Sequence, residues 1–244
     1  MNQFTGKMVG EGIGQSFGKF TSIGFGTEII YSFIIISCSL MIYFGTKDLY
    51  ELSEHKGIKY FRLTFLFFAL AYFFRSFIKF VLIYFNSGQI RDIYSGIFYF
   101  GLGKITLFIF MYFSSMAIFY LLYSVMWKKW ARNSKKIYLF HLLAFAIAIS
   151  TIIFRNHSVY LCVNFLLLIF VVFTYYISRK QINQKKRKHN LHIIYTLIFF
   201  FWIINILDIL IPNFFQTFQL FIYLASSGIF LIMLYKVLKK VGSI

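Results

Sequence analysis

A chain of 244 residues that is 60% hydrophobic and 23% aromatic but only 13% charged lies outside the range of soluble domains, in which about a quarter of residues are charged. It reads as an integral membrane protein. One Pro and 15 Gly suit long unbroken helices better than a barrel of short alternating strands separated by turns, while a net charge of +18, spread over the short segments between apolar runs, points to membrane topology rather than to nucleic acid.

In chain order, residues 1–27 hold seven glycines and no continuous apolar core, so no signal peptide is expected and the first apolar run is read as a retained anchor. The tail itself is expected to be flexible or to lie at the outer interface. Seven runs follow that are long enough for a ~30 Å hydrocarbon layer, which takes about 20 helical residues. They cover 28–46, 60–86, 97–126, 137–155, 158–178, 192–211 and 214–236. The expected fold is an all-α seven-span bundle over 28–240, with 241–244 as a C-terminal tail.

Lys and Arg set the orientation. Of the 25 basic residues, four lie in 46–62 (Lys47, Lys56, Lys59, Arg62), five in 127–137, six in 178–192 and three in the C-terminal tail (Lys236, Lys239, Lys240). The opposite-side connections hold Arg91 and Arg155, and none near Pro212 and Asn213. The reading is a multi-pass protein of the cell membrane, N-terminus outside and C-terminus cytoplasmic. Its basic face, densest at Lys185, Lys186, Arg187 and Lys188, would attract an anionic leaflet by about 1 kcal/mol per residue or dock a partner protein.

The chain also repeats itself. A shift of 132 lays Tyr43, Phe44, Thr46 and Lys47 over Tyr175, Tyr176, Ser178 and Arg179, and Thr64, Phe67 and Phe68 over Thr196, Phe199 and Phe200. A shift of 112 lays Ser114, Ser115, Leu122, Tyr123, Val125 and Lys128 over Ser226, Ser227, Leu234, Tyr235, Val237 and Lys240. In so aromatic and aliphatic a chain, chance supplies some matches. Taken as a repeat, they give two parallel three-helix units joined by the fourth span, a 3+1+3 plan seen in some transporters.

Polar residues inside the spans are the candidates for function. Arg75 lies thirteen residues beyond Arg62, roughly 20 Å across the membrane, where an arginine costs about 2.5–3.5 kcal/mol and finds partners within the bundle. Asp208, sixteen residues beyond His192, reaches a similar depth of ~24 Å, so an Arg75–Asp208 ion pair is predicted. Glu28, at the end of a run, is set aside. Around the pair fall Lys79, Lys104, Asn164, Asn205, Gln216 and Gln219, three bases against one acid, a balance suited to a carboxylate, a phosphate or a lipid headgroup. A second reading stays open, in which Lys79 and Lys104 snorkel to the interface and the ion pair fixes packing.

Other polar residues are read as structural. Ser114, Ser115, Ser226 and Ser227 allow close helix approach with interhelical hydrogen bonds. Cys38 and Cys162 differ in depth by roughly 9 Å, so no disulfide is expected and both count as small buried hydrophobes. His189 and His192 lack further ligands for a metal, as do His55 and His141 in their segments. There is no GxSxG, and Asp208 alone supplies no acid and base pair. No enzyme activity, metal or cofactor is expected.

Seven spans invite comparison with opsins, but the last span (FFQTFQLFIYLASSGIFLIMLYK) has its lysine, Lys236, at the end rather than midway. The small sugar transporters with proline-glutamine motifs share a parallel repeat, yet Pro212 is followed by Asn213. The stretch Ile42 to Arg75 (IYFGTKDLYELSEHKGIKYFRLTFLFFALAYFFR) resembles the seven-helix input modules of prokaryotic, especially archaeal, sensor kinases and their stand-alone relatives. That resemblance implies a sensory role, and with no output domain after Lys240 the signal would pass to a separate partner. The functional expectation is a receptor-like protein binding a small or lipidic anion in its outer half. The alternatives are a small-solute transporter and a structural subunit of a membrane complex. An inner half with almost no polar residue beyond Ser and Thr favours the receptor.

Overall fold

The computed structural model describes residues 25–86, 96–130, 136–154, 157–184, 189–210 and 216–241. Residues 1–24 of the tail expected over 1–27, the basic cluster Lys185–Lys188, the turn at Pro212, and the side chains of Lys79 and Gln216 lie outside the described residues, and 25–27 already belong to the first helix. The helices are α1 (Phe25–Gly45), α2 (Lys47–Ser53), α3 (Lys56–Asn86), α4 (Gly96–Trp130), α5 (Lys136–Phe154), α6 (His157–Gln184), α7 (His189–Leu210) and α8 (Gln216–Val241). Seven are long and apolar enough to cross a membrane, and in lipid a helix is the form that satisfies its backbone within one segment. Several hydroxyls within the spans turn back onto that backbone. Thr46 Oγ1 donates to the Ile42 carbonyl at 2.7 Å, Ser76 Oγ to Tyr72 at 2.9 Å and Thr174 Oγ1 to Phe170 at 2.8 Å, which removes the cost of carrying them there.

The first connection holds a helix that the hydropathy pattern did not reveal. Its end is marked by Glu54, whose φ of 48° is left-handed and whose N–H reaches the Tyr50 carbonyl at 2.8 Å, as helix C-termini often require. Two residues into α3, Gly57 is needed for close approach, because a Cβ there would lie 2.8 Å from Trp127 Cδ1 and 2.9 Å from His55 Cε1. Arg62 fastens this corner. Its Nε donates to the Tyr43 carbonyl at 3.0 Å, and its guanidinium lies over the rings of Tyr43 and Tyr50.

Six spans close into a ring in the order α1, α3, α4, α6, α7, α8 and back to α1, while α5 packs outside it on α4 and, less extensively, on α6. Helix α4 is the most enclosed, with every residue from Ser114 to Val125 buried. Across the centre of the ring Phe68 meets Phe65, Phe201 and Phe230 at centroid distances of 6.4, 6.1 and 6.1 Å, and Phe201 meets Phe230 at 4.8 Å. All four are essentially inaccessible. The outer surface is a belt of exposed Ile, Leu and Phe, including Phe33, Leu139, Leu142, Ile153, Ile169 and Phe221, far more apolar surface than a soluble monomer leaves uncovered.

Two expectations are corrected. Cys38 is buried, but Cys162 is exposed on the outward face of α6, and both are free thiols; the apolar pattern places a cysteine within a span without saying which way it faces. The four serines are buried, yet the hydroxyls of Ser115 and Ser226 have no hydrogen-bond partner among the described residues. At Ser115 the contribution is small size rather than a bond across helices.

Candidate functional site

Three helices each place two polar residues three apart in sequence, hence on one face. Helix α1 carries Glu28 and Tyr31, α3 carries Tyr72 and Arg75, and α7 carries Asn205 and Asp208. The facing pairs Tyr72/Asn205 and Arg75/Asp208 are both 133 residues apart, as is Phe68/Phe201, a constant register that only parallel helices keep. Because α1 runs the opposite way, the six residues form two layers one turn apart, above the aromatic centre.

The upper layer is charged. Arg75 Nε lies 3.2 Å from Glu28 Oε1, and its Nη2 lies 3.4 Å from Asp208 Oδ2. The three side chains are 19, 7 and 12% exposed, so the guanidinium bridges α1 and α7 from α3 with little access to solvent. The lower layer carries a directed hydrogen-bond chain. Tyr72 Oη donates to Asn205 Oδ1 at 3.1 Å, so its single proton is committed, and in the 3.1 Å contact between the tyrosines it is Tyr31 that donates. Asn205 Nδ2 passes on to the Phe201 carbonyl at 2.9 Å. The guanidinium carbon sits 6.0 and 5.7 Å from the ring centres of Tyr31 and Tyr72, within cation–π range, and Tyr31 stacks on Tyr223 of α8 at 4.7 Å. One cation thus ties together residues of four helices.

The Arg75–Asp208 ion pair stands as predicted, and Glu28 changes the charge balance around it. Where three bases were set against one acid, two carboxylates share Arg75. Asp208 Oδ1 is buried without a hydrogen-bond partner among the described residues. Glu28 was overlooked because it opens an apolar run, and run ends normally lie at the interface. It is buried, at 5% exposure, because α1 starts at Phe25, so its first turn packs beside the part of α3 that carries Arg75.

The chain is similar to a protein of Archaeoglobus fulgidus described as uncharacterized, with 29% identity over 216 residues that cover 87% of this chain and 92% of the relative. No family model matches the chain, and no solved structure matches it.

The remaining predicted site residues divide. Asn205 joins the cluster through Tyr72. Asn164 does not: its Nδ2 returns to the Tyr160 carbonyl at 2.8 Å while its own carbonyl accepts the Trp202 indole N–H at 3.2 Å, which makes it a packing residue between α6 and α7. Lys104 and Gln219 are half-buried on α4 and α8, and no hydrogen bond joins Gln219 to the triad among the described residues. Lys79 is one turn beyond Arg75 on α3, with its side chain outside the described residues. Tyr31, Tyr72 and Tyr223 were missed because 18 tyrosines give no single one prominence. The available signal was Tyr three residues from a charge on two separate spans.

Proposed function

We propose a receptor-like membrane protein in which the Glu28–Arg75–Asp208 triad is the ligand-responsive lock. It binds a small or lipidic anion, which takes the place of one carboxylate on Arg75 and so frees a helix of the ring. The observation that carries the reading is the single guanidinium shared by carboxylates from α1 and α7. Bidentate geometry suits a guanidinium to carboxylates and phosphates alike, and Glu28, in the first turn of its helix, is the partner best placed to swing aside. In this reading the triad lies in the outer half, with the N-terminus outside and the basic face cytoplasmic, as the Lys and Arg distribution supports. The movement of α1 would reach that face through the Arg62 corner, for use by a partner protein. The resemblance of Ile42 to Arg75 to archaeal-type sensory modules supports the sensory role.

The transporter alternative draws support from the repeat and from the place of α5 outside the ring, as a linker between three-helix units would sit. Against it stands the dry layer of Phe68, Phe201 and Phe230 below the polar cluster.

The test is thermal unfolding of the purified protein with carboxylates, phosphates and anionic lipids, for wild type, Glu28→Gln and Arg75→Leu. A ligand at 100 times its Kd stabilises by ~2.7 kcal/mol. Glu28→Gln removes the competitor and should tighten anion binding, whereas Arg75→Leu should abolish it. Undiminished binding to Arg75→Leu, or no stabilisation by any anion, would refute the proposal.

A further inference from the structure

A second polar group lies on the far side of α4, away from the triad. His141 of α5 sits between two tyrosines of α4: Tyr112 Oη is 2.7 Å from its Nδ1, and Tyr120 Oη is 3.2 Å from its Nε2. A neutral imidazole carries one proton, so one tyrosine must donate to the ring and the other must accept from it. Either choice leaves one tyrosine O–H over, at a cost of about 1–3 kcal/mol if it finds no acceptor. Tyr120 is 9% exposed, and His141 is the one hydrogen-bond partner of its hydroxyl among the described residues. An acceptor that enters beside Tyr112 removes that cost only in the tautomer in which Tyr120 donates to Nε2. The ring proton then sits on Nδ1 and is given to Tyr112 Oη. The proton of Tyr112 is left over.

That proton has somewhere to go. Tyr112 and His141, with Phe108, Leu142 and Phe145, line an open groove of about 500 Å³ between α4 and α5. Leu142 and Phe145 belong to the exposed apolar belt, so the groove opens toward the surrounding lipid. Its wall is aromatic. Phe108 and Tyr112, one turn apart on α4, have ring planes only 9° from parallel with centroids 6.4 Å apart, and Phe145 stands across Phe108 at 86° and 5.4 Å.

We propose that this groove is a binding site for a membrane-dissolved carbonyl compound with a planar ring, of the quinone class. The ring lies against the Phe108 and Tyr112 rings, a carbonyl oxygen accepts the Tyr112 hydroxyl proton, and the apolar tail leaves along Leu142 into the bilayer. The tautomer is what makes the site selective: it turns Tyr112 into a donor that apolar surroundings cannot satisfy, and a carbonyl is an acceptor without a competing proton. The three aromatic rings of the wall, Phe108, Tyr112 and Phe145, favour a planar ring over the flexible ester of a glycerolipid. This site is independent of the triad.

The experiment measures binding of a short-tailed 1,4-benzoquinone, decylubiquinone, to the detergent-purified full chain by thermal shift. Decylbenzene, which lacks carbonyls, and a short-chain diacylglycerol, which carries ester carbonyls without a ring, serve as comparators. The quinone should stabilise the protein more than either. Tyr112→Phe keeps the ring and removes the donor, and should weaken quinone binding about tenfold, equivalent to ~1.4 kcal/mol. Leu142→Trp, which fills the groove from the opposite wall and leaves the hydrogen bonds in place, should abolish binding if Tyr112→Phe proves unstable. Equal stabilisation by decylbenzene, preference for the diester, or wild-type affinity in either variant would overturn the proposal.

Discussion

Replacing Arg75 by Met should destabilise the protein by about 3–5 kcal/mol, the usual consequence of leaving a buried charge without its partner. Contacts of 3.2 and 3.4 Å correspond to a gross attraction of about 5 kcal/mol each at an effective dielectric constant of ~20. The net worth of the triad is far smaller, because three charges had to leave water to form it. The asymmetry between those statements is the testable point. Arg75→Met leaves two carboxylates, 7 and 12% exposed, facing each other without a cation. Glu28→Gln leaves a neutral Arg75–Asp208 pair and should cost less. The triple change Glu28→Gln, Arg75→Met and Asp208→Asn removes every charge, and should recover most of the loss even though it breaks both ion pairs. Unfolding free energies from sodium dodecyl sulfate titration in mixed micelles would measure all three. A loss below about 1 kcal/mol for Arg75→Met, or a triple variant no more stable than Arg75→Met, would refute the reasoning and return Arg75 to a screened, solvated position.

Phe68 fills the centre of the ring against three other phenylalanines, and Phe68→Ala should cost about 3–5 kcal/mol by leaving a cavity that the surrounding helices cannot collapse; a near-neutral result in the same titration would mean that the aromatic layer is loosely packed and that a path through it remains available to a solute. For orientation, Ser53→Cys introduces a thiol on the exposed end of α2, at the basic end of the bundle. A membrane-impermeant maleimide should label it in inside-out vesicles and not in intact cells, and the reverse pattern would invert the topology.

The seven spans, their basic end and the depth of Arg75 against Asp208 could all be read from the chain. Each rests on a quantity that is local in sequence: the length of an apolar run, the charge of the segment between two runs, and a rise of about 1.5 Å per residue counted from a marker such as Arg62 or His192. Facing is different. Cys162 and Cys38 look alike in an apolar run whose residues differ little in hydropathy, because lipid and protein interior are about equally apolar and leave no amphipathic signature to follow. Only the packed bundle turns one outward and the other in.

The composition of the site was decided in the same way. Closure of α8 onto α1 brings Tyr223 to Tyr31, and the placement of α1 beside α3 brings Glu28 to Arg75, contacts between residues 192 and 47 positions apart. No local pattern encodes which two helices meet when a ring closes. The sequence placed one arginine and one aspartate at matching depth because depth is additive along a helix; the second carboxylate, the tyrosine layer beneath it and the contacts of Tyr112 and Tyr120 with His141 depend on which faces meet, and that is settled by the simultaneous packing of all seven spans.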